Sequence, residues 1–331
     1  MQSKDNPSQA AYPSPLDAIL LAGTDSNPRR LIQGQNKAFL EVGGKALVRR
    51  VVEALVVARS IGQVFVVGPK SQLEETLAGL PSGVVVVAQE GQMLLNGWAA
   101  IHAAEAAYRA RSGEQDPDRP MLFISCDLPL ISADAIDDFV SRCAREDHQV
   151  EEKYAILAGV AEKNSLQAYY PTDGGDGIVR PYVHFSTMLA RLANIYVGRP
   201  RKLAHQDFLQ TGFSYRKAKD WHNVVLLIWH FFKQTGGWKA AWLTVRYQAT
   251  LMASKRGGWL YQRLRRNNDP GRVEVVVSRV LGGSVKLVVT PYGGLSLDVD
   301  EEEDYRVLSK NFGEWKSIDP APDSAVYSYS Q

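Results

Sequence analysis

Apolar residues in the first half of the chain fall into short continuous runs separated by amphipathic stretches. Residues 18–21 with Leu16, and residues 64–67, 84–87 and 121–125, are apolar runs of strand length, and the valine runs are β-branched. Between the first two, residues 46–61 place Val48, Val51, Val52 and Leu55 at helical spacing, with Arg49, Arg50 and Glu53 on the opposite side. Strands alternating with helices predict parallel βαβ units and an α/β fold class. Past residue 88 the chain crosses Gln89, Glu90 and Gly91, and a helix is expected to begin near Gly97. Gln89 and Asn96 suit the edge of a nucleobase, because an amide offers both donor and acceptor; Asn96 with Gly97 equally suits a helix cap. Trp98 reads as core, and His102 is given no role.

The chemistry gathers where these runs stop. After Leu21, Ala22 and Gly23 have side chains too small to keep phosphate oxygens from backbone N–H groups, and Arg29, Arg30, Gly34 and Lys37 follow. Guanidinium forks and an ammonium point charge are what polyphosphate binding requires. Residues 121–125 end just before Asp127, with Pro129 beyond, and the carboxyl end of a strand is the ligand edge of an open α/β sheet. Asp298 and Asp300 stand two apart on an extended segment, so both carboxylates can face one side before a helix opens at Glu301. Two acidic clusters and a phosphate loop suit metal-assisted phosphoryl chemistry.

The stretches LAGTDSNPRR, NKAFLEVGGKALV, SCDLP and LDVDEEEDY together resemble the MobA-like NTP transferases. The resemblance implies a Rossmann-related, GT-A-like nucleotidyltransferase fold, with a mostly parallel mixed sheet and helices on both faces. It implies Mg²⁺-dependent transfer of a nucleoside monophosphate from an NTP, CTP or GTP, to a phosphorylated acceptor with release of pyrophosphate. On that basis Lys37, Arg30 and Asp127 are the expected catalytic residues. Leu21, Ala22, Gly23, Thr24, Lys37, Gln89 and Asn96 are the expected nucleotide contacts, and Asp127 with Asp298 or Asp300 the expected metal ligands. No nucleophilic side chain is required, since the acceptor's own phosphate oxygen is ionised near neutral pH. Thr24 and Asp25 stand where relatives carry glycine or a small residue, which keeps open a catalytically lapsed nucleotide-binding regulatory protein.

Charge divides the chain further. The net charge of +2 conceals a segment, Trp221 to Asn268, with no Asp or Glu, eight Lys and Arg, and five of the seven tryptophans. It lies inside a predicted insertion, 171–283, between transferase segments 16–170 and 284–315, with tails at 1–15 and 316–331. Trp238, Trp242, Val245, Ala249 and Met252 recur at helical spacing, and Gly236–Gly237 separate that helix from an earlier one containing VVLLIWHFF. Cations mixed with Trp and Leu suit an interfacial helix, and so peripheral membrane contact through 221–268 and a lipid-linked acceptor. The same stripe also suits a hairpin's own core or an oligomer interface. Non-specific nucleic-acid binding is a third reading, but no helix-turn-helix, zinc or RRM motif offers a specific one.

Ahead of the segment, Arg180, Tyr182 and His184 alternate along an extended stretch, which makes Arg180 and His184 candidates for the acceptor phosphate. A chain of 331 residues, 45% hydrophobic and 22% charged, can bury a substantial core. The polar start of the chain carries no export signal, and its two cysteines have no paired spacing. Both features lead to the expectation of a cytoplasmic protein, with any membrane contact at the inner face.

Overall fold

The computed structural model describes residues 10–23, 31–172, 174–205, 237–318 and 320. They form two compact units. The first holds the described residues up to Lys153 with Asn194–Gly198 and Gly294–Ile318; the second holds Tyr154–Ala193 and the described part of Arg199–Gly293.

In the first unit, β1 (Leu16–Leu21) precedes a hairpin of β2 (Glu41–Val42) and β3 (Lys45–Ala46), followed by α1 (Leu47–Val57) and β4 (Ile61–Gly68). Then come α2 (Lys70–Thr76), β5 (Val84–Ala88), α3 (Met93–Ser112), β6 (Met121–Ser125) and α4 (Ala133–His148). Strand β1 lies between β4 and β6, parallel to both, and β5 extends the sheet beyond β4. On the far side of β6, residues 195–198 pair antiparallel. A strand flanked on both edges and covered on both faces favours apolar residues, and Ala18, Ile19 and Leu20 are fully buried. One face packs Ile19, Phe65, Val67 and Met121 against Ala100, Ile101 and Ala104 of α3, with Trp98 at the margin. Helix α1 buries Val48, Val51, Val52 and Leu55, the stripe read from the sequence. Asp17, buried within β1, is neutralised by Arg119 Nη1 at 2.6 Å and Arg111 Nη2 at 3.1 Å, the pairing that a buried charge requires.

Helix α3 starts four residues earlier than the expected Gly97, with Gln92 as its N-cap. Gln92 makes no side-chain cap bond, so there is no capping signal in the sequence to mark the boundary. Asn96 therefore lies in the first turn rather than at the cap.

The second unit contains β7 (Ile156–Glu162), α5 (Lys163–Leu166), β8 (Val183–His184) and the first half of β9 (Leu189–Gly198). Helices α6 (Gly237–Ser254), α7 (Gly258–Arg266) and α8 (Pro270–Leu281) follow, then β10 (Val285–Thr290). The compact units differ from the sequence segments 16–170 and 171–283. Strand β10 pairs with β7 in unbroken parallel register, and α8 covers β10, so both strands fall with the helices. Val160, Phe185, Met188 and Ala190 form a core that takes in Tyr247 of α6 and Val273 of α8. Buried Asn268 joins these pieces, donating to His184 O at 3.0 Å and Thr250 Oγ1 at 3.1 Å. On α6, Trp242, Val245 and Met252 are 62%, 44% and 71% exposed. The VVLLIWHFF run lies outside the described residues. No helix among the described residues is long and apolar enough to cross a membrane.

The chain re-enters the first unit at Gly294 and closes with α9 (Glu302–Trp315). Gly43 and Gly44, both at positive φ, make the two-residue turn between β2 and β3. A Cβ on Gly43 would lie 2.5 Å from the Phe312 ring, so glycine there also lets α9 pack onto the hairpin.

Candidate functional site

Lys37 is placed by two successive turns. Gln33 and Gly34, at φ 50° and 76°, reverse the chain between Ile32 and Gln35, and Asn36 then caps a single helical turn, Lys37–Phe39. The Asn36 Oδ1 accepts from Ala38 N at 3.0 Å, while its Nδ2 donates to Ala22 O at 3.0 Å. One amide thus fixes both the start of the lysine turn and the backbone leaving β1.

The lysine reaches an acidic cluster assembled from distant parts of the chain. Asp127, two residues past β6 and 1% exposed, is ion-paired with Lys37 through Oδ2 and accepts from Ser125 Oγ through Oδ1. Lys37 Nζ also donates to Val299 O at 3.0 Å and lies 3.4 Å from Asp300 Oδ1. The segment carrying Asp298 and Asp300 is tied back by Val299 N–H, which donates to Asp127 O at 3.1 Å. Asp127, Asp298 and Asp300 each offer one carboxylate oxygen, all within 4.8 Å of one another. Burial works against the charge of Lys37, but the Asp127 and Asp300 carboxylates outweigh it and hold its pKa above the ordinary lysine value. Lysine here is a fixed ammonium rather than a proton shuttle. The pKa of Cys126, the residue before Asp127, is pushed up to about 12 by burial and then by Asp127, so its thiol stays protonated and is no nucleophile.

The donor set suits a hard divalent cation. It is all oxygen, mainly carboxylate, the chemistry of Mg²⁺ and its congeners. Three carboxylates against one ammonium leave two formal negative charges in a largely buried setting. Lys37 already occupies a cation's position against two of the three. Among the described residues no other group of acidic, histidine and cysteine side chains could hold a metal.

Beside this cluster, Ala22 and Gly23 leave β1 without side-chain bulk. A Cβ on Gly23 would lie 2.8 Å from Asn96 Nδ2 and 3.5 Å from Gln89 Oε1, so the expected phosphate turn and the two expected base-reading amides share one small space. Asn96 is 5% exposed, and its Oδ1 accepts from Glu90 N at 2.5 Å. Its carbonyl oxygen holds the 89–92 loop, while its amide nitrogen faces the glycine.

Leu21 ends β1, opposite Val67 and Ser125 in the neighbouring strands. Arg30 and Thr24 lie outside the described residues. Arg180 and His184 belong to the second unit. There His184 Nδ1 is 2.8 Å from Tyr261 OH, and burial followed by the charges of Arg265 and Lys163 lowers its pKa. Sequence reasoning overlooked Asn36, Ser125 and Asp304. Each carries a local signal: an Asx residue before a turn, a hydroxyl two positions before the aspartate, and an acid three positions after Glu301.

A small-residue turn after the central strand, a fixed lysine and an acidic cluster lie together at the carboxyl end of neighbouring strands, the ligand edge of an open α/β sheet. Residues 18–174 match the model of the MobA-like NTP transferase domain. Among solved structures, a hypothetical transferase from Thermus thermophilus aligns over 88% of this chain and 99% of its own, at 20% identity and a TM-score of 0.52. That likeness shows a shared fold. A 4-diphosphocytidyl-2C-methyl-D-erythritol synthase from Anaerococcus prevotii aligns at 10% identity over 91% of this chain and 97% of its own, with a TM-score of 0.46. A CMP:2-keto-3-deoxy-manno-octonic acid synthetase complexed with CTP aligns at 11% identity over 91% and 99%, with a TM-score of 0.45. No curated protein matches the chain.

Proposed function

We propose that the first unit transfers a nucleoside monophosphate from an NTP, CTP or GTP, to a phosphorylated acceptor. The observation that carries this reading is the meeting of Lys37, Asp127, Asp298 and Asp300, drawn from three remote stretches of chain, in a unit that also frees the backbone at Ala22 and Gly23. Asp127, Asp298 and Asp300 would hold Mg²⁺, which when bound offsets phosphate charge. An acceptor phosphate oxygen bonds to the α-phosphorus, the bond from that phosphorus to the bridging oxygen breaks, and pyrophosphate leaves with the electron pair. Lys37 supplies fixed positive charge for the phosphates, so nucleotide entry must exchange its carboxylate partners for phosphate oxygens. Ala22 and Gly23 admit the phosphates to the backbone, while Gln89 and Asn96 stand where a base edge would meet them.

Mg²⁺-dependent pyrophosphate release, assayed for each NTP against phosphorylated sugars, alcohols and lipid headgroup precursors, tests the reading. Lys37→Ala and Asp127→Ala are expected to remain folded and lose about 10²–10³ in rate, the usual cost of removing one transition-state charge. Either variant retaining most of its activity removes these residues from the mechanism. NTP binding without release under any acceptor favours the lapsed, regulatory alternative.

A second reading concerns where the protein works. Trp242, Met252, Trp259 and Leu260 are exposed on helices α6 and α7, within a segment free of acidic residues. Exposed rings and cations on short helices favour peripheral contact with an anionic lipid surface, and with it a lipid-linked acceptor.

A further inference from the structure

The acidic cluster needs Asp300 held in place, yet Asp300 lies on a segment with no strand partner of its own, immediately before a helix. The start of α9 takes part in holding it. The buried carboxylate of Asp304, 7% exposed, accepts through Oδ2 from Asp300 N at 3.1 Å and from Glu301 N at 2.9 Å. Glu301 returns the bond by accepting from the Asp304 backbone, which completes a reciprocal capping box. In an ordinary capping box only the helix gains. Here the same oxygen also takes the amide of the preceding residue, one of the three carboxylates of the cluster. From the other end, Tyr305 OH donates to Glu41 O at 2.9 Å and Phe312 packs under Gly43 and Arg50, so the helix that carries Asp304 is anchored on the hairpin that follows Lys37.

We propose that Asp304 is a positioning residue of the metal site, acting through the backbone amide of Asp300 to hold that carboxylate toward Asp127 and Asp298. The inference rests on the metal-site reading above, and Mn²⁺ as a probe tests the two separately without any need for turnover. Binding of Mn²⁺ alone to the full chain is followed by loss of the free-ion electron paramagnetic resonance signal. Asp304→Ala is expected to weaken Mn²⁺ affinity about 10–100-fold, the range for losing an outer partner of a metal ligand. Asp304→Asn, whose amide oxygen can accept both N–H groups, is expected to restore wild-type affinity. Glu301→Ala removes the other half of the box but leaves the Asp300 amide bonded, so it is expected to lose helix stability while keeping wild-type Mn²⁺ affinity. Asp304→Ser, which keeps one acceptor, is expected to be intermediate and serves should the alanine variant not fold. Wild-type affinity in Asp304→Ala, equal weakening in Asp304→Asn, or equal weakening in Glu301→Ala overturns the positioning role while leaving the cluster intact. Absence of saturable binding to the wild type, or binding unaltered by Asp127→Asn, overturns the metal site itself.

Discussion

At the scale of single residues, the site depends on what is missing at position 23 as much as on what is present at 37 and 127. The space above Gly23 is bounded by two amides, and one methyl group would come to 2.8 Å of Asn96 Nδ2. That contact is with the end of a side chain, so Gly23→Ala is expected to cost only a few degrees in Tm, as a perturbation of about 1 kcal/mol would. Nucleotide affinity is expected to fall by about tenfold or more, roughly 1.4 kcal/mol, since the phosphates lose close approach to the backbone. Calorimetric titration with CTP and GTP, paired with thermal melts, checks this; unchanged affinity would show that the phosphates do not approach Gly23. Lys37, Asp127, Asp298 and Asp300 are legible in the sequence because their chemistry is carried by residue type and by position beside a strand end. Asn36 and Asp304 carry only the common local signals of an Asx residue before a turn and an acid near a helix start, because each acts by holding backbone groups of other residues.

At the scale of elements, short pieces are held by specific side chains rather than by length. Strand β8 has two residues, and His184 within it is bound to Tyr261 of α7 while its carbonyl receives Asn268. Burial, together with Arg265 and Lys163, holds the His184 pKa below its usual 6.5. A histidine whose folded pKa is depressed binds a proton more readily when unfolded, so stability is full above the unfolded pKa and declines as pH falls below it. Melting temperature is therefore expected to drop as pH is taken from 7 to about 5.5, and His184→Gln to flatten that drop. Equal slopes in both proteins would show that His184 does not set it. The limits of β5 and β6 follow closely from hydrophobic period, whereas α1 ends at Val57 rather than 61 and β4 begins at Ile61 rather than 64. The start of α3 does not follow from it, because Met93 and Leu94 satisfy a helix or a loop equally and no cap residue announces the boundary.

At the scale of the whole molecule, exposed tryptophans coincide with a run of cations that contains no acid. The exposed Trp242 and Trp259 belong to a segment with eight cations and no acid, so the full chain is expected to float with vesicles rich in anionic lipid. The double variant Trp242→Ala, Trp259→Ala is expected to lose most of that binding, and vesicles of neutral lipid to bind weakly. Failure of the wild type to float at moderate salt rules out the membrane reading, and a concentration-dependent dimer in the same sample would assign the surface to a second copy.

The α/β class, the parallel alternation, the small-residue turn after β1 and the acidic residues are determined by the sequence alone, because hydrophobic period and residue chemistry are local quantities. The union of β7 and β10 with the helices, and the gathering of residues 37, 127, 298 and 300, required the tertiary structure. These depend on which remote segments share a hydrogen bond or a packed face, as Val299 does with Asp127, and no local pattern encodes a pairing across more than one hundred and seventy residues.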